Sequence, residues 1–230
     1  MSRERRFATP DALAESLAAD LAARLHADLA ARGRASLIVS GGRTPTRLYE
    51  RLSHAAVDWR RVGVGLADER LVAPDHRQSN ARFVRDHLLQ NRAAAAGFVA
   101  LWPGTGDPAV GALAALQQLP RPFTAVVLGM GEDGHTASLF PHAPELAQAL
   151  DPAGFDDVIE VPAADGRKRR LSLTLHALCD TAQVVLLFEG PAKRRAFEHA
   201  LKPGPLEDFP VRAVLRQTRA PVDVYWSAGA

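Results

Sequence analysis

The chain has 230 residues, of which 47% are hydrophobic and 23% charged, enough apolar material for one domain or two small ones. It has no run of about 18 apolar residues, and MSRERRFATPDALAES lacks the apolar stretch of a secretory signal, so neither a membrane span nor secretion is expected and a cytoplasmic address is. A formal charge of +2, from 28 basic and 26 acidic residues, does not call for nucleic acid or a membrane as partner, and a lone cysteine, Cys179, allows neither an internal disulfide nor a CxxC zinc site.

Residues 10–31 are Ala/Leu-rich with helical spacing, which predicts a helix with Thr9 as N-cap and Pro10 as its first residue. ASLIVS (35–40) reads as a buried strand, GGRT as a loop and PTRLYERLS as a helix. The series continues with strand VGVGLAD (62–68), helix SNARFVRDHLLQ (79–90), a short strand around FVALW, a helix over 107–119 and strand FTAVVLG (123–129). After a less regular stretch over 136–157 come strands VIEVP, RLSLTL and AQVVLLFE (182–189), helix PAKRRAFEHALK and a final strand VDVYWS. Strands alternating with helices of this length predict an α/β domain spanning 1–230, built on a mainly parallel sheet covered on both faces. Ligands of such sheets bind beyond the carboxyl ends of the strands, so the loops there carry the chemistry.

SGGRTP (40–45) follows the first of these strands. Its two glycines let the backbone turn and approach a ligand, Thr44 can cap the next helix, and Pro45 suits its first turn. A helix N-terminus of this kind holds anions, although a tight turn that binds nothing has the same composition. LADERL (66–71) ends a strand on Asp68, Glu69 and Arg70, where the two carboxylates need compensation from Arg70 or a ligand.

VVLGMGEDGHTASLFP (126–141) contains Gly129-x-Gly131-x-x-Gly134, the spacing of a dinucleotide loop. That reading fails, because Pro141 stops any helix within about two turns and Asp151, at the right separation, follows a helical PELAQAL. The loop does offer His135, suited to general-base work, next to Asp133, which can orient it, with glycine-rich amides that could hold an oxyanion. The other seven histidines (26, 54, 76, 87, 142, 176 and 199) show no metal-ligand spacing, so no metal is expected.

Lysine is scarce: Lys168, Lys193 and Lys202 are the three, leaving 25 arginines. Lys193 falls in the first turn of a helix, where a cation opposes the helix dipole unless an anion is bound. Arg170 enters the strand RLSLTL, at the end of a short basic run RKRR (167–170) that otherwise reads as a solvated turn.

SGGRTP, ADER followed by Ser79-Asn80, LGMGEDGHTASLFP, RLSLT and GPAK occur in the order and approximate spacing of the 6-phosphogluconolactonases, relatives of the glucosamine-6-phosphate deaminases. The chain resembles that family over nearly its whole length, with GxGxDGHTASLFP the most specific block. The resemblance implies a Rossmann-like three-layer sandwich of the deaminase type. It also implies hydrolysis of 6-phospho-D-glucono-1,5-lactone to 6-phosphogluconate in the pentose phosphate pathway, without cofactor or metal, by a monomer or homodimer. Carried over, His135 matches the general base and Asp133 its acidic neighbour. Arg70, Lys193 and Arg170 match groups near the substrate phosphate, and Gly41, Gly42, Arg43 and Thr44 match the sugar-phosphate loop, with Asp68 and Gly131 also in the substrate site.

The deaminase branch is the nearest rival, but Arg70 stands where that branch has an aromatic residue, and SLFP carries no glutamate. A non-catalytic sugar-phosphate-binding protein is the second rival, and it would not need His135. Arg43 replaces a small residue of the family pattern, and HALCDTA (176–182) departs from the usual Pro-Ala-x-Asn, so no substrate role is assigned to 176–180.

Overall fold

Segments such as ASLIV and VVLLF have no polar face to offer water, and they form strands buried on both sides. The structure is a computed structural model that describes residues 3–151, 153–164 and 166–229. Its strands are β1 (Arg3–Phe7), β2 (Ala35–Val39), β3 (Val62–Leu66), β4 (Asp68–Arg70), β5 (Gly97–Phe98), β6 (Ala125–Leu128), β7 (Val158–Val161), β8 (Arg170–Leu173), β9 (Val184–Glu189) and β10 (Val222–Ser227). The α-helices are α1 (Pro10–Arg32), α2 (Thr46–Ser53), α3 (Asn80–His87), α4 (Pro108–Leu116), α5 (Leu146–Ala149), α6 (Leu175–Leu178), α7 (Pro191–Leu201) and α8 (Val211–Arg216).

Seven strands form one parallel sheet in the order β1-β10-β9-β6-β2-β3-β5, with Leu37 opposite Ala125 and Val126 opposite Val184 at its centre. Flanking helices complete a three-layer α/β arrangement, as the alternation of elements predicts. The longest helix, α1, buries Leu13, Leu17, Leu21, Leu25 and Leu29, one per turn. Thr9 caps it, its side chain accepting from the Ala12 amide at 3.2 Å, and Gly33 closes it at φ 77°, a left-handed conformation that favours glycine. Among the described residues no helix is long and apolar enough to cross a membrane.

The remaining strands form a second, antiparallel sheet, β4-β8-β7, which sequence periodicity does not reveal. The expected strand over 62–68 is therefore two strands. At Ala67 the chain changes sheets: its amide donates to Val39 O in the first (2.9 Å), while its carbonyl accepts from the Leu173 amide in the second (2.8 Å). Three further elements depart from expectation. RERRF is the strand β1, residues 211–216 are a helix, and the strand expected over RLSLTL stops at Leu173, because Thr174 caps a new turn by accepting from the Ala177 amide.

Candidate active site

Beyond β2 the chain is pinned before it turns. Ser40 Oγ donates to Val127 O (2.9 Å), and Tyr49 Oη donates to Ser40 O (2.7 Å), fixing the loop to β6 and α2. Burial pushes the Tyr49 hydroxyl far above its ordinary pKa, so it serves only as a neutral donor. Gly42 has φ 102°, where a side chain is strained, and a Cβ on Gly41 would overlap the carboxamide of Asn80. Thr44 does not cap α2, contrary to expectation. Pro45 occupies the N-cap position with no side-chain cap, and Thr46 Oγ1 instead donates to Arg43 O (2.9 Å). The amides of Gly41, Gly42 and Arg43 have no hydrogen-bond partner among the described residues, so they remain available to an anion.

The acidic pair at β4 is compensated internally. Glu69, 1% exposed, accepts from the amides of Arg70, Asn80 and Ala81, each at 2.7 Å, and from Ser79 Oγ. It thereby caps α3 from outside the helix, although burial still raises its pKa against those donors. Asp68 accepts from Ser138 Oγ (2.6 Å) and Asn80 Nδ2 (3.0 Å) and lies 3.6 Å from Arg170. Asn80 Oδ1 accepts in turn from the Arg70 guanidinium, which also donates to Gln78 O. Asn80 therefore ties the glycine loop, the Asp68 carboxylate and Arg70 together. Sequence reasoning saw Asn80 only as part of a family block, and Gly41 was the one available hint of a close neighbour.

The loop after β6 closes on itself. The Gly131 amide donates to His135 O (2.9 Å) and the Gly134 amide to Gly131 O (3.1 Å). These two glycine amides are spent within the turn, whereas those of Gly129 and Met130, which line the cavity, have no hydrogen-bond partner among the described residues. His135 Nδ1 lies 2.6 Å from Asp133 Oδ1, which also accepts from the His135 amide (3.2 Å). Burial raises the Asp133 pKa, but the hydrogen bonds and charge of His135 together outweigh it and hold the carboxyl below its ordinary value. With Nδ1 engaged by the carboxylate, Nε2 is the nitrogen left for chemistry. A Cβ on Gly131 would overlap both partners, so only glycine fits beneath the pair. Phe140 packs against the imidazole with ring centroids 4.9 Å apart.

Two cations complete the set. Lys193 sits in the first turn of α7, half-buried, and burial lowers its pKa although Glu132 and Glu189 nearby favour its charge. Arg170 opens β8, where burial likewise lowers its pKa. Its Nη1 donates to Ser138 Oγ (3.3 Å), and its buried Nε has no hydrogen-bond partner among the described residues.

All of these segments meet at the carboxyl ends of β2, β6 and β9, neighbours in the sheet, around a cavity of about 190 Å³. Gly41, Gly42, Arg43, Thr44, Asp68, Arg70, Gly131, His135, Arg170 and Lys193 all line it. Asp133 alone of the expected residues does not, reaching the cavity only through His135. Asn80, Met130 and Ala137 are lining residues that sequence reasoning did not assign. Cys179 lies away from it, and burial pushes its thiol up to about 11. Among the described residues no group of three His, Cys, Asp or Glu side chains could hold a metal ion.

The sequence profile of the glucosamine-6-phosphate isomerases/6-phosphogluconolactonase family matches residues 8–226. This chain belongs to that family. Within the family, the chain is similar to a 6-phosphogluconolactonase of Mesorhizobium japonicum, 47% identical over 218 residues, 94% of this chain and 91% of the relative. It is also similar to a 6-phosphogluconolactonase of Rhizobium meliloti, 43% identical and covering 96% of this chain and 97% of the relative. The crystal structure of a 6-phosphogluconolactonase from Shewanella baltica superposes with a TM-score of 0.94 at 42% identity, covering 99% of this chain and 98% of that one. A monomeric glucosamine-6-phosphate deaminase superposes with a TM-score of 0.78 at 17% identity, covering 98% of this chain and 97% of that one, a likeness of fold alone.

Proposed function

We propose that the chain hydrolyses 6-phospho-D-glucono-1,5-lactone to 6-phospho-D-gluconate, the lactone step of the pentose phosphate pathway, with His135 as general base. The observation that carries this reading is the convergence of His135, oriented by Asp133, with Lys193, Arg70, Arg170 and the glycine loop on one cavity. The phosphate takes the free amides of Gly41, Gly42 and Arg43 together with Lys193, and this grip on a remote group orients the ring. His135 Nε2 removes a proton from water as the water oxygen bonds to C1 and negative charge develops on the carbonyl oxygen, while Arg70 and Arg170 add to the positive field around the phosphate. Collapse of the tetrahedral intermediate breaks the bond from C1 to the ring oxygen, which recovers the proton from His135. The base thus ends as it began, and no redox partner is needed. Asp68 supports the site indirectly, by holding Arg170 and Asn80 in place.

The test is the decay of freshly generated lactone, corrected for spontaneous hydrolysis, in wild type and His135→Ala, with ammonia release from glucosamine-6-phosphate measured alongside. Rapid lactone loss that His135→Ala abolishes, without ammonia, is the expected result. Decay at the background rate in the wild type would overturn the reading. Ammonia would then indicate the deaminase reaction, and silence in both assays a binding protein.

A further inference from the structure

The Asp133 hydrogen bond fixes one atom of the imidazole, Nδ1, and a single contact of that kind leaves a ring able to turn about the bond. A second contact comes from Phe140, further along the same loop and 4% exposed, whose ring centroid lies 4.9 Å from that of His135 at an interplanar angle of 40°. Phe140 is in turn covered by two guanidiniums from a distant part of the chain. The central carbon of Arg167 lies 4.2 Å from the Phe140 centroid and that of Arg170 5.2 Å. A cation over an aromatic face within about 6 Å is attracted by the ring quadrupole, most strongly where water is excluded. Arg170 is held at the start of β8 by Ser138 and Asp68, so its place follows from the antiparallel sheet. Arg167 is placed by a tight turn, in which its amide donates to Ala164 O (2.8 Å) and Gly166 takes a φ of 76°. It is half-buried, in a recess that adjoins the cavity and shares Arg43, Arg70 and Arg170 with it. The contacts thus run from the basic loop ahead of β8, through Phe140, to the His135 ring, and none of them passes through the Asp133 hydrogen bond.

We propose that Phe140 is a positioning residue for the general base and that Arg167 clamps it there, so that the basic loop ahead of β8 sets the orientation of the His135 ring. The inference rests on the reading of His135 as the base, so the ring is observed directly as well as through turnover. Lactone hydrolysis is measured for Phe140→Leu, Arg167→Ala, Arg167→Lys and the double variant Phe140→Leu/Arg167→Ala. The His135 ring signals are followed by NMR in protein carrying isotope-labelled histidine, and are assigned by their loss in His135→Ala. Phe140→Leu should move the His135 signals, because the neighbouring ring current is gone, and lower kcat by up to about 100-fold with KM little changed. Arg167→Ala should move the same signals through Phe140 and lower kcat by about 2- to 30-fold, the equivalent of one cation–π contact. Arg167→Lys keeps a cation over the ring and should recover most of that loss. Once Phe140 is leucine, Arg167→Ala should change neither kcat nor the signals further, because the coupling is already broken. Additive losses in the double variant would overturn the proposal. So would a rise in KM for Arg167→Ala with kcat and the His135 signals intact, which would make Arg167 a contact to the substrate anion. A thermal melt shows whether Phe140→Leu folds, and if it does not, Arg167→Ala and Arg167→Lys carry the test. If the wild type turns over no lactone while Arg167→Ala still moves the His135 signals and Arg167→Lys restores them, the clamp stands and the assignment of the base falls.

Discussion

Gly131→Ala isolates the geometry of the base from the rest of the site. The added Cβ would overlap His135 Nδ1 and Cε1 on one side and Asp133 Oδ1 on the other, forcing the 2.6 Å pair apart. Gly131 is not among the residues with positive φ, so alanine brings no backbone strain and the effect is steric. Overpacking of this kind costs about 1–3 kcal/mol, which for a chain of this size lowers Tm by about 2–12 °C. A misplacement of about 1 Å costs about 100-fold in rate, so kcat should fall by about that factor. KM should change little, because Lys193 and the amides of 41–43 belong to other loops. Steady-state lactone hydrolysis and a thermal melt read these quantities separately. Gly134→Ala is the control, since its Cβ would strike Phe209 rather than the pair, at a φ of 79° that alanine tolerates poorly. It should lower Tm with a smaller loss of kcat. Normal kcat in a folded Gly131→Ala protein would refute the account of how the imidazole is held.

Three other perturbations test separate parts of the site. Lys193→Ala should raise KM about 10- to 150-fold, the worth of a charged hydrogen bond of about 1.5–3 kcal/mol, with kcat nearly unchanged; a kcat effect instead would move Lys193 into the chemical step. Because burial depresses the Lys193 pKa, its proton leaves at lower pH than from an ordinary lysine, so wild-type KM should climb early on the alkaline side. Lys193→Arg should stay flat there, and parallel profiles would exclude Lys193 as the cause. Asp133→Asn should lower kcat by disturbing the imidazole tautomer. The wild-type Asp133 pKa is depressed, so its stabilisation is present above the ordinary carboxylate range and lost as pH falls through the folded value. The melt of the variant should therefore be less sensitive to acid below about pH 4, and identical acid profiles would contradict the pairing. Glu69→Gln turns an NH₂ toward the donors of α3 and should cost about 1–3 kcal/mol, seen as a lower Tm with KM affected less than by Lys193→Ala.

Elements with strong local signals were legible in the sequence. Thr9-Pro10 and Gly33 mark both ends of α1, and the unbroken apolar runs at 35–39 and 184–188 mark central parallel strands. The antiparallel sheet was not legible, because β4 meets β8 across about a hundred residues and nothing local encodes that pairing. RERRF has neither alternation nor an apolar run, so β1 could not be read. Of the residues lining the cavity, the charged ones and most of the glycines could be named in advance from their type and loop position. What could not be foreseen was how their neighbours spend hydrogen bonds: the amides of Gly131 and Gly134 close a turn, and Asn80 holds Arg70 beneath Gly41.

The two margins of the seven-stranded sheet bear on how copies of this chain can meet. At one margin β5 is two residues long, and at the other β1 presents Arg3, Glu4, Arg5 and Arg6 within five residues. A strand so short, or so heavily charged, makes a poor template for a strand from another molecule. Self-association by sheet extension, and the fibrous growth that can follow from it, is disfavoured at both margins. Of the edges of this sheet, then, neither offers a ready seam between copies.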